Sequence, residues 1–96
     1  MQTIYKYTLE FADDQTIELT ENYQILNVAE QHGMLNLWSI VDTEGPKVPV
    51  KIRIFGTGHG FREAKNEFLI HLGTVVMTAG FVWHIFQVEE YAVGDY

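Results

Sequence analysis

The sequence predicts a mainly β fold: a small antiparallel meander of about seven short strands that closes into a barrel or a sandwich. Two observations support this class. Apolar and polar residues alternate over most of the chain, and short clusters of glycine, proline, asparagine and aspartate separate the alternating runs. Good helix formers are concentrated only in residues 62–67, so we expect at most one short helix.

The first four strands are expected to form two hairpins. The alternating runs that predict these strands are residues 5–11, 16–19, 23–31 and 35–41. A polar turn beginning at Asp13 joins the first pair, and the dipeptide His32-Gly33 supplies a tight turn for the second pair. Because strands that follow each other closely along the chain usually pair, we predict that the first run pairs with the second and the third run with the fourth.

The C-terminal half is expected to supply three more strands. Residues 48–55 alternate cleanly, and Pro49 places the start of this strand at an edge or in the first pairs of a ladder, because proline has no N–H to donate. Residues 69–78 form the next strand, with a bulge predicted at Gly73. Residues 81–88 are apolar on both faces, which predicts a central strand.

The composition predicts one β-domain over residues 1–96, with a polar tail at residues 89–96. An apolar content of 47% is enough for a single core. The chain has no cysteine, which excludes disulfide bonds and thiolate metal sites. The longest near-apolar stretch, residues 72–86, is too short to span a bilayer, so we expect a soluble cytoplasmic protein that does not engage a membrane.

The charge of the chain indicates the kind of partner it binds. A formal net charge of −7 at pH 7 argues against direct binding of nucleic acid, because phosphate neutralisation needs a cationic surface. It favours a protein partner with a basic surface. The candidate contact residues are six acidic residues and one tyrosine: Asp13, Asp14, Glu18, Glu21, Glu89, Glu90 and Tyr91. The alternatives are that the charge only solvates the surface, and that the tail packs on the sheet as a strand.

A glycine-rich loop at residues 56–60 is a second candidate site. Its glycines leave backbone N–H groups uncovered, and five of the six cations of the chain lie within about ten residues of it. Such a loop predicts a site for an anion or a nucleotide. The residues that would form it are Arg53, Gly56, Thr57, Gly58, His59, Gly60 and Arg62. The alternative is a turn that needs glycine only for its geometry, since neither P-loop spacing nor a βαβ context is present.

The sequence predicts neither catalysis nor a cofactor. There is no cysteine, and the single serine, Ser39, lies in the middle of a predicted strand rather than on a nucleophile elbow. Neighbouring carboxylates fall mainly on turns and on the tail, where solvent keeps them from being tuned for acid–base chemistry. The four histidines do not have the spacing of metal ligands, so no metal site is predicted.

The run Ile-Arg-Ile-Phe-Gly-Thr-Gly-His at residues 52–59 resembles a motif, I-[FY]-G-T-G-H, of a family of small uncharacterised proteins from phages and prophages. Three further stretches resemble the same family in the same order: residues 14–19, the hairpin of residues 24–42, and residues 72–75 together with 82–86. In that family a proline often follows the histidine, where this chain has Gly60. The resemblance implies a genomic context and carries no catalytic residue.

These observations predict a non-enzymatic phage or prophage accessory protein that acts by binding. Its acidic surface would inhibit a host defence protein or a host protein that handles nucleic acid. The alternatives are a small-ligand-binding protein that captures an anion or nucleotide at residues 56–60, and a structural component of a virion or of its assembly.

We also expect a homodimer, formed across the C-terminal strands between residues 69 and 88 through a two-fold interface. Residues 75–78 carry neither a charge nor a proline that would block a sheet edge. A monomer is the alternative, if the first hairpin closes over these strands.

Overall fold

A computed structural model describes residues 1–62 and 64–91. In these residues the chain forms seven β-strands and no helix. The strands are β1 (Gln2–Leu9), β2 (Asp14–Thr20), β3 (Gln24–Gln31), β4 (Met34–Asp42), β5 (Lys47–Gly56), β6 (Glu67–Val76) and β7 (Val82–Glu90). Within the two described ranges, no helix has the length and apolarity needed to cross a membrane.

The strands form two antiparallel sheets that pack as a sandwich. One sheet has three strands in the order β1-β4-β3, and the other has four in the order β2-β5-β7-β6. Every paired neighbour is antiparallel. The sheets keep their own edge strands and do not close into a barrel. The predicted all-β antiparallel class is therefore confirmed, in its sandwich form.

The core lies between the two sheets and takes alternate residues from the strands. Its apolar side chains with an exposure of 1% or less are Leu9, Leu19, Leu35, Leu37, Ile52 and Ile85. Three of them come from each sheet. Full burial of a leucine or isoleucine side chain contributes roughly 1.5–3 kcal/mol to folding. The period-two pattern of the sequence thus identifies the buried face of the strands correctly.

The β3–β4 hairpin confirms the turn predicted at His32-Gly33. Both turn residues have positive φ, 55° at His32 and 77° at Gly33. A two-residue loop with φ > 0 at both positions matches the right-handed twist of the two strands that it joins. The turn therefore sets the register in which Gln31 faces Met34.

The first predicted hairpin is wrong. β1 pairs with β4, with Leu9 opposite Leu35, whereas β2 pairs with β5 in the other sheet. Residues 10–13 carry the chain from one sheet to the other, so Leu9 and Leu19 enter the core from opposite sides. Phe11, predicted on the apolar face of the first strand, lies outside β1 and is 53% exposed. Alternation defines the apolar face of a strand but not its partner.

The central strand predicted at residues 81–88 is confirmed, because β7 lies between β5 and β6. β5 is also an inner strand. Its first residues, however, pair only with β2, and Pro49 stands there opposite Glu18. The missing N–H of Pro49 therefore interrupts no pair with β7.

β6 forms one edge of the four-stranded sheet, and its register against β7 shifts between His71 and Gly73. This irregularity confirms the bulge predicted at Gly73. Of the predicted polar tail at residues 89–96, Glu89 and Glu90 belong to β7, and Tyr91 follows that strand. The remainder of the predicted tail, residues 92–96, lies outside the described residues.

Candidate functional site

The four-stranded sheet turns one face to the core and the other face away from it; we call the second the outer face. β5 buries Ile52 and Ile54 in the core, so Arg53 and Phe55 point to the outer face. The register of β7 places His84 beside Phe55 on the same face. The loop that follows β5 contains five of the seven predicted ligand residues, and the other two, Arg53 and Gly56, belong to β5 itself.

The glycine-rich loop folds back over the outer face through its aromatic residues. The Phe61 ring stacks on Phe55 with 4.1 Å between centroids, and the His59 ring meets Phe55 edge-on at 6.1 Å. Gly58 has φ = 83°, in the left-handed region that favours glycine. The His59 backbone N–H donates to the carbonyl of Gly56 at 3.1 Å. These contacts favour turn geometry as the reason for the glycines, since one N–H of the expected anion nest is already used within the turn.

Arg53 is held by two carboxylates. Its Nε donates to Asp14 Oδ1 at 2.7 Å, and its Nη1 donates to Glu67 Oε2 at 2.9 Å. The side chains of Arg53 and Glu67 are only 18% and 12% exposed, whereas that of Asp14 is 58% exposed. The hydrogen bonds to Glu67 and Asp14 raise the pKa of the Arg53 guanidinium above its ordinary value. The group predicted to clamp a phosphate therefore already binds two anionic partners.

A cleft of about 270 Å³ lies beside these residues. Its lining residues are Asp13, Asp14, Arg53, Phe55, His59, Gly60, Phe61, Arg62, Ala64 and Glu67. The structure thus brings four of the predicted ligand residues to one cleft, namely Arg53, His59, Gly60 and Arg62, while the other three do not line it. Three carboxylates share the cleft with the two arginines. A simple anion placed there would meet negative as well as positive charge.

A chain of hydrogen bonds on the outer face links two histidines, and the sequence analysis did not predict it. His84 Nε2 lies 2.8 Å from Thr57 Oγ1, and His84 Nδ1 lies 3.0 Å from Thr74 Oγ1. The same Thr74 hydroxyl lies 3.1 Å from His71 Nε2. The bulge in β6 and the β6–β7 register produce this arrangement, which residue spacing alone does not reveal. Among the described residues, no three side chains of the His, Asp or Glu type are placed to hold a metal ion.

The six predicted acidic contact residues differ in whether they are paired with a cation. Three of them make ion pairs with cations of the four-stranded sheet: Asp14 with Arg53 at 2.7 Å, Glu90 with Lys51 at 3.0 Å and Glu18 with Lys47 at 4.0 Å. The other three, Asp13, Glu21 and Glu89, make no ion pair with a residue that the structure describes. Charges on much of the four-stranded sheet are therefore locally balanced.

Tyr91, the predicted aromatic contact, packs next to the start of β6. Its ring stacks on Phe68 at 6.0 Å between centroids, and its hydroxyl donates to the carbonyl of Lys65 at 2.5 Å. Its backbone N–H donates to the carbonyl of Asn66 at 3.0 Å. These contacts favour the alternative in which this part of the tail packs on the sheet, although half of the Tyr91 surface stays exposed.

An aromatic cluster at one end of the sandwich is a site that the sequence analysis missed. Residues 10–13, the turn at 32–33 and residues 77–81 meet there, and we call this region the loop end. The Trp83 ring stands 5.8 Å from Phe81 and 6.2 Å from Phe11. Phe11 is the last residue of the first alternating run, and the alternation of that run does not indicate the cluster.

The three rings border a groove of about 300 Å³, which we call the aromatic groove. The residues that line it are Phe11, Glu30, Gly33, Met77, Ala79, Phe81 and Trp83. Trp83 Nε1 is buried and has no hydrogen-bond partner among the described residues. A buried donor without a hydrogen-bond partner costs about 1–3 kcal/mol of folding free energy. Such unpaired donors are unusual in side chains that serve only to fill a core.

The chain belongs to a family described as a domain of unknown function (DUF7352), whose model matches residues 1–94. No curated protein and no solved structure matches the chain.

Proposed function

We propose that this member of the DUF7352 family is a non-enzymatic binding protein whose acidic loop end engages a basic surface on another protein. The observation that supports this proposal is the location of the unbalanced negative charge. Four of the five carboxylates on the four-stranded sheet are matched by Arg53, Lys51 and Lys47, the exception being Glu89, whereas none of those at the loop end makes an ion pair with a described residue. The loop-end carboxylates are those of Glu10, Asp13 and Glu30.

Unbalanced charge at one end of a small domain has a physical consequence. Carboxylates that are already paired gain little from a second cation, while unpaired ones attract a cationic surface over the distance that salt leaves unscreened. With a net charge of −7, the whole chain adds to this attraction. Association with a basic partner is therefore expected to be fast at low salt and to slow steeply as salt is added.

The resemblance to small phage and prophage proteins, carried by residues 52–59, supports a more specific role. In that role the protein is a phage accessory factor in the host cytoplasm. Its target is a host defence protein or a host protein that handles nucleic acid, because such proteins present basic surfaces to phosphate. Covering that surface with an acidic domain would inhibit the target.

Capture of a small anion at the glycine-rich loop is the second candidate. Its support is that Arg53, His59, Gly60 and Arg62 line one cleft. The carboxylates in the same cleft and the two partners of Arg53 make it the weaker of the two. Thermal unfolding with a panel of nucleotides separates them: a ligand present at a hundred times its Kd stabilises a protein by roughly 2.7 kcal/mol. No geometric feature of the described residues favours the third candidate, a structural role in a virion or in its assembly.

Affinity capture from host lysate tests the first candidate. The variant Glu10→Gln/Asp13→Asn removes two carboxylates from the loop end, and Glu18→Gln/Glu90→Gln removes two that are paired on the four-stranded sheet. We expect the first variant to lose a captured partner at moderate salt and the second to retain it. A partner that stays bound at high salt, or that both variants lose equally, would contradict the proposal.

A further inference from the structure

The aromatic groove combines exposed rings with negative charge. Phe11 and Phe81 are 53% and 62% exposed, although both belong to the cluster around Trp83. Contiguous exposed aromatic surface in a soluble domain is typical of an interaction site rather than of a solvated surface. The faces of these rings carry negative partial charge and attract cations.

Carboxylates stand on both sides of the rings. Glu30 lines the aromatic groove itself, and Asp13 lines a small adjoining cavity that Phe11 and Trp83 also line. One oxygen of Glu30, Oε2, accepts hydrogen bonds from the backbone N–H and the hydroxyl of Thr78, at 2.9 and 2.7 Å. These bonds hold the carboxylate at the groove. Among residues 1–62 and 64–91, no lysine or arginine lines either cavity.

We propose that the aromatic groove receives an arginine side chain from a basic segment of a partner protein. The planar guanidinium would stack on an aromatic ring and direct its N–H groups at Glu30 or Asp13. A lysine side chain suits the groove less well, because its compact ammonium group does not stack on an aromatic ring and does not donate two parallel hydrogen bonds to a carboxylate. The proposal rests on the proposed function for the basic character of the partner.

A second copy of this chain is a poorer occupant of the groove. Each copy carries a net charge of −7, so long-range electrostatic attraction does not bring a second copy to the acidic groove. Three of its six cations, Lys47, Lys51 and Arg53, already make ion pairs within the chain. The charge of the groove therefore favours a basic segment of another protein over a second copy as the occupant of this site.

The chain offers a direct probe of this site. It has two tryptophans, so the two indole N–H signals in a nitrogen–proton correlation spectrum are easily separated. Trp83 borders the groove, whereas Trp38 lies on β4 of the three-stranded sheet, opposite Lys6 of β1. A titration with a Gly/Ser peptide that carries three arginines should move the Trp83 signal and leave the Trp38 signal in place.

Two matched peptides and two matched variants complete the test. A peptide with glutamine in place of each arginine should not bind. A peptide with lysine in place of each arginine should bind more weakly than the arginine peptide. Phe81→Ala should weaken binding of the arginine peptide about fivefold, the equivalent of one lost cation–aromatic contact. Phe61→Ala removes an aromatic ring of similar exposure, 54% against 62% for Phe81, from the outer face and should leave binding of the arginine peptide unchanged.

The outcomes separate this inference from the proposed function. Equal binding of the arginine and lysine peptides, or a Trp83 signal that the arginine peptide does not move, overturns the inference. In the variant Val76→Lys, whose β6 edge is blocked, a Trp83 signal that moves with protein concentration alone, in the absence of peptide, assigns the groove to a second copy and overturns it too. If Phe81→Ala binds the captured lysate partner with the same affinity and salt dependence as the parent protein, the proposed function stands while the groove assignment fails. If the arginine peptide binds but no lysate partner is captured, the groove assignment stands while the proposed function fails.

Discussion

Val28 occupies the space that a side chain at residue 73 would need. A Cβ placed on Gly73 would lie 2.5 Å from Val28 Cγ2, closer than carbon atoms approach without strain. Val28 belongs to β3 of the three-stranded sheet and Gly73 to β6 of the four-stranded sheet. The close approach of β6 to β3 at this point therefore depends on the absence of a side chain at residue 73, which lies at the bulge of β6.

We predict that Gly73→Ala lowers the free energy of unfolding by about 1–3 kcal/mol, because the added methyl overpacks the contact with Val28. Urea unfolding measures the change. Gly60→Ala is the matched control, since a Cβ at Gly60 meets nothing within 4 Å. In the double variant Gly73→Ala/Val28→Ala the two costs should be less than additive. Full additivity would mean that the close contact is not the cause.

The ion pair between Arg53 and Glu67 should contribute more to stability than the one between Arg53 and Asp14. The side chain of Glu67 is 12% exposed and that of Asp14 is 58% exposed. Loss of Arg53 therefore leaves the Glu67 carboxylate without a partner in a poorly hydrated position. We expect Arg53→Met to destabilise the fold by about 2 kcal/mol and Asp14→Asn by less than about 1 kcal/mol. Adding Glu67→Gln to Arg53→Met should recover part of the loss. If Asp14→Asn costs as much as Arg53→Met, this ranking is wrong.

Asp42 should make stability depend on acid pH. The backbone N–H of Glu44 donates to Asp42 Oδ1 at 3.0 Å and holds the pKa of that carboxyl below its ordinary value. A group whose pKa is lowered by folding stabilises the fold above its unfolded pKa, about 3.9. That contribution is lost as the pH falls through the folded pKa.

Chemical unfolding of Asp42→Asn between neutral and strongly acidic pH checks this. The variant should be slightly less stable than the parent at neutral pH, and the difference should shrink on acidification. Glu21→Gln removes the same charge from the β2–β3 turn and serves as the control. A difference that grows as the pH falls would contradict the assignment.

We propose that the chain forms a homodimer through β6. β7 is an inner strand, so of the two strands expected at the interface only β6 presents an edge. Its Val76 is 70% exposed, and Phe68 and Ile70 are 43% and 40% exposed. Unpaired edges of this kind pair with another strand unless charge or proline blocks them.

Light scattering at micromolar concentration should give about twice the monomer mass of 11.1 kDa. Val76→Lys should reduce the mass to that of the monomer, since a charge at an edge blocks pairing. Ile4→Lys introduces the same charge at an exposed position of β1, an edge of the other sheet, and should leave the dimer intact. A monomeric parent protein would show that the prediction is wrong.

Local features of this protein follow from its sequence. The alternation of residues 48–55 and the apolar character of residues 81–88 predict the β5 and β7 strands and the inner position of β7, and His32-Gly33 predicts the turn of the β3–β4 hairpin. These features depend on neighbouring residues only. Side-chain direction repeats every two residues along a strand, and a two-residue turn needs only the φ angles of its own residues.

The pairing of strands and the composition of the sites are decided by the tertiary structure. Leu9 alternates in the same way whether β1 pairs with β2 or with β4, so its partner Leu35 is not encoded locally. Arg53 meets Asp14 and Glu67, which lie 39 and 14 residues away along the chain, and the cluster of Phe11 and Trp83 forms only when both loops reach the same end. The physical reason is that periodicity defines which face of a strand is apolar, while the choice of neighbour depends on how all seven strands share one core.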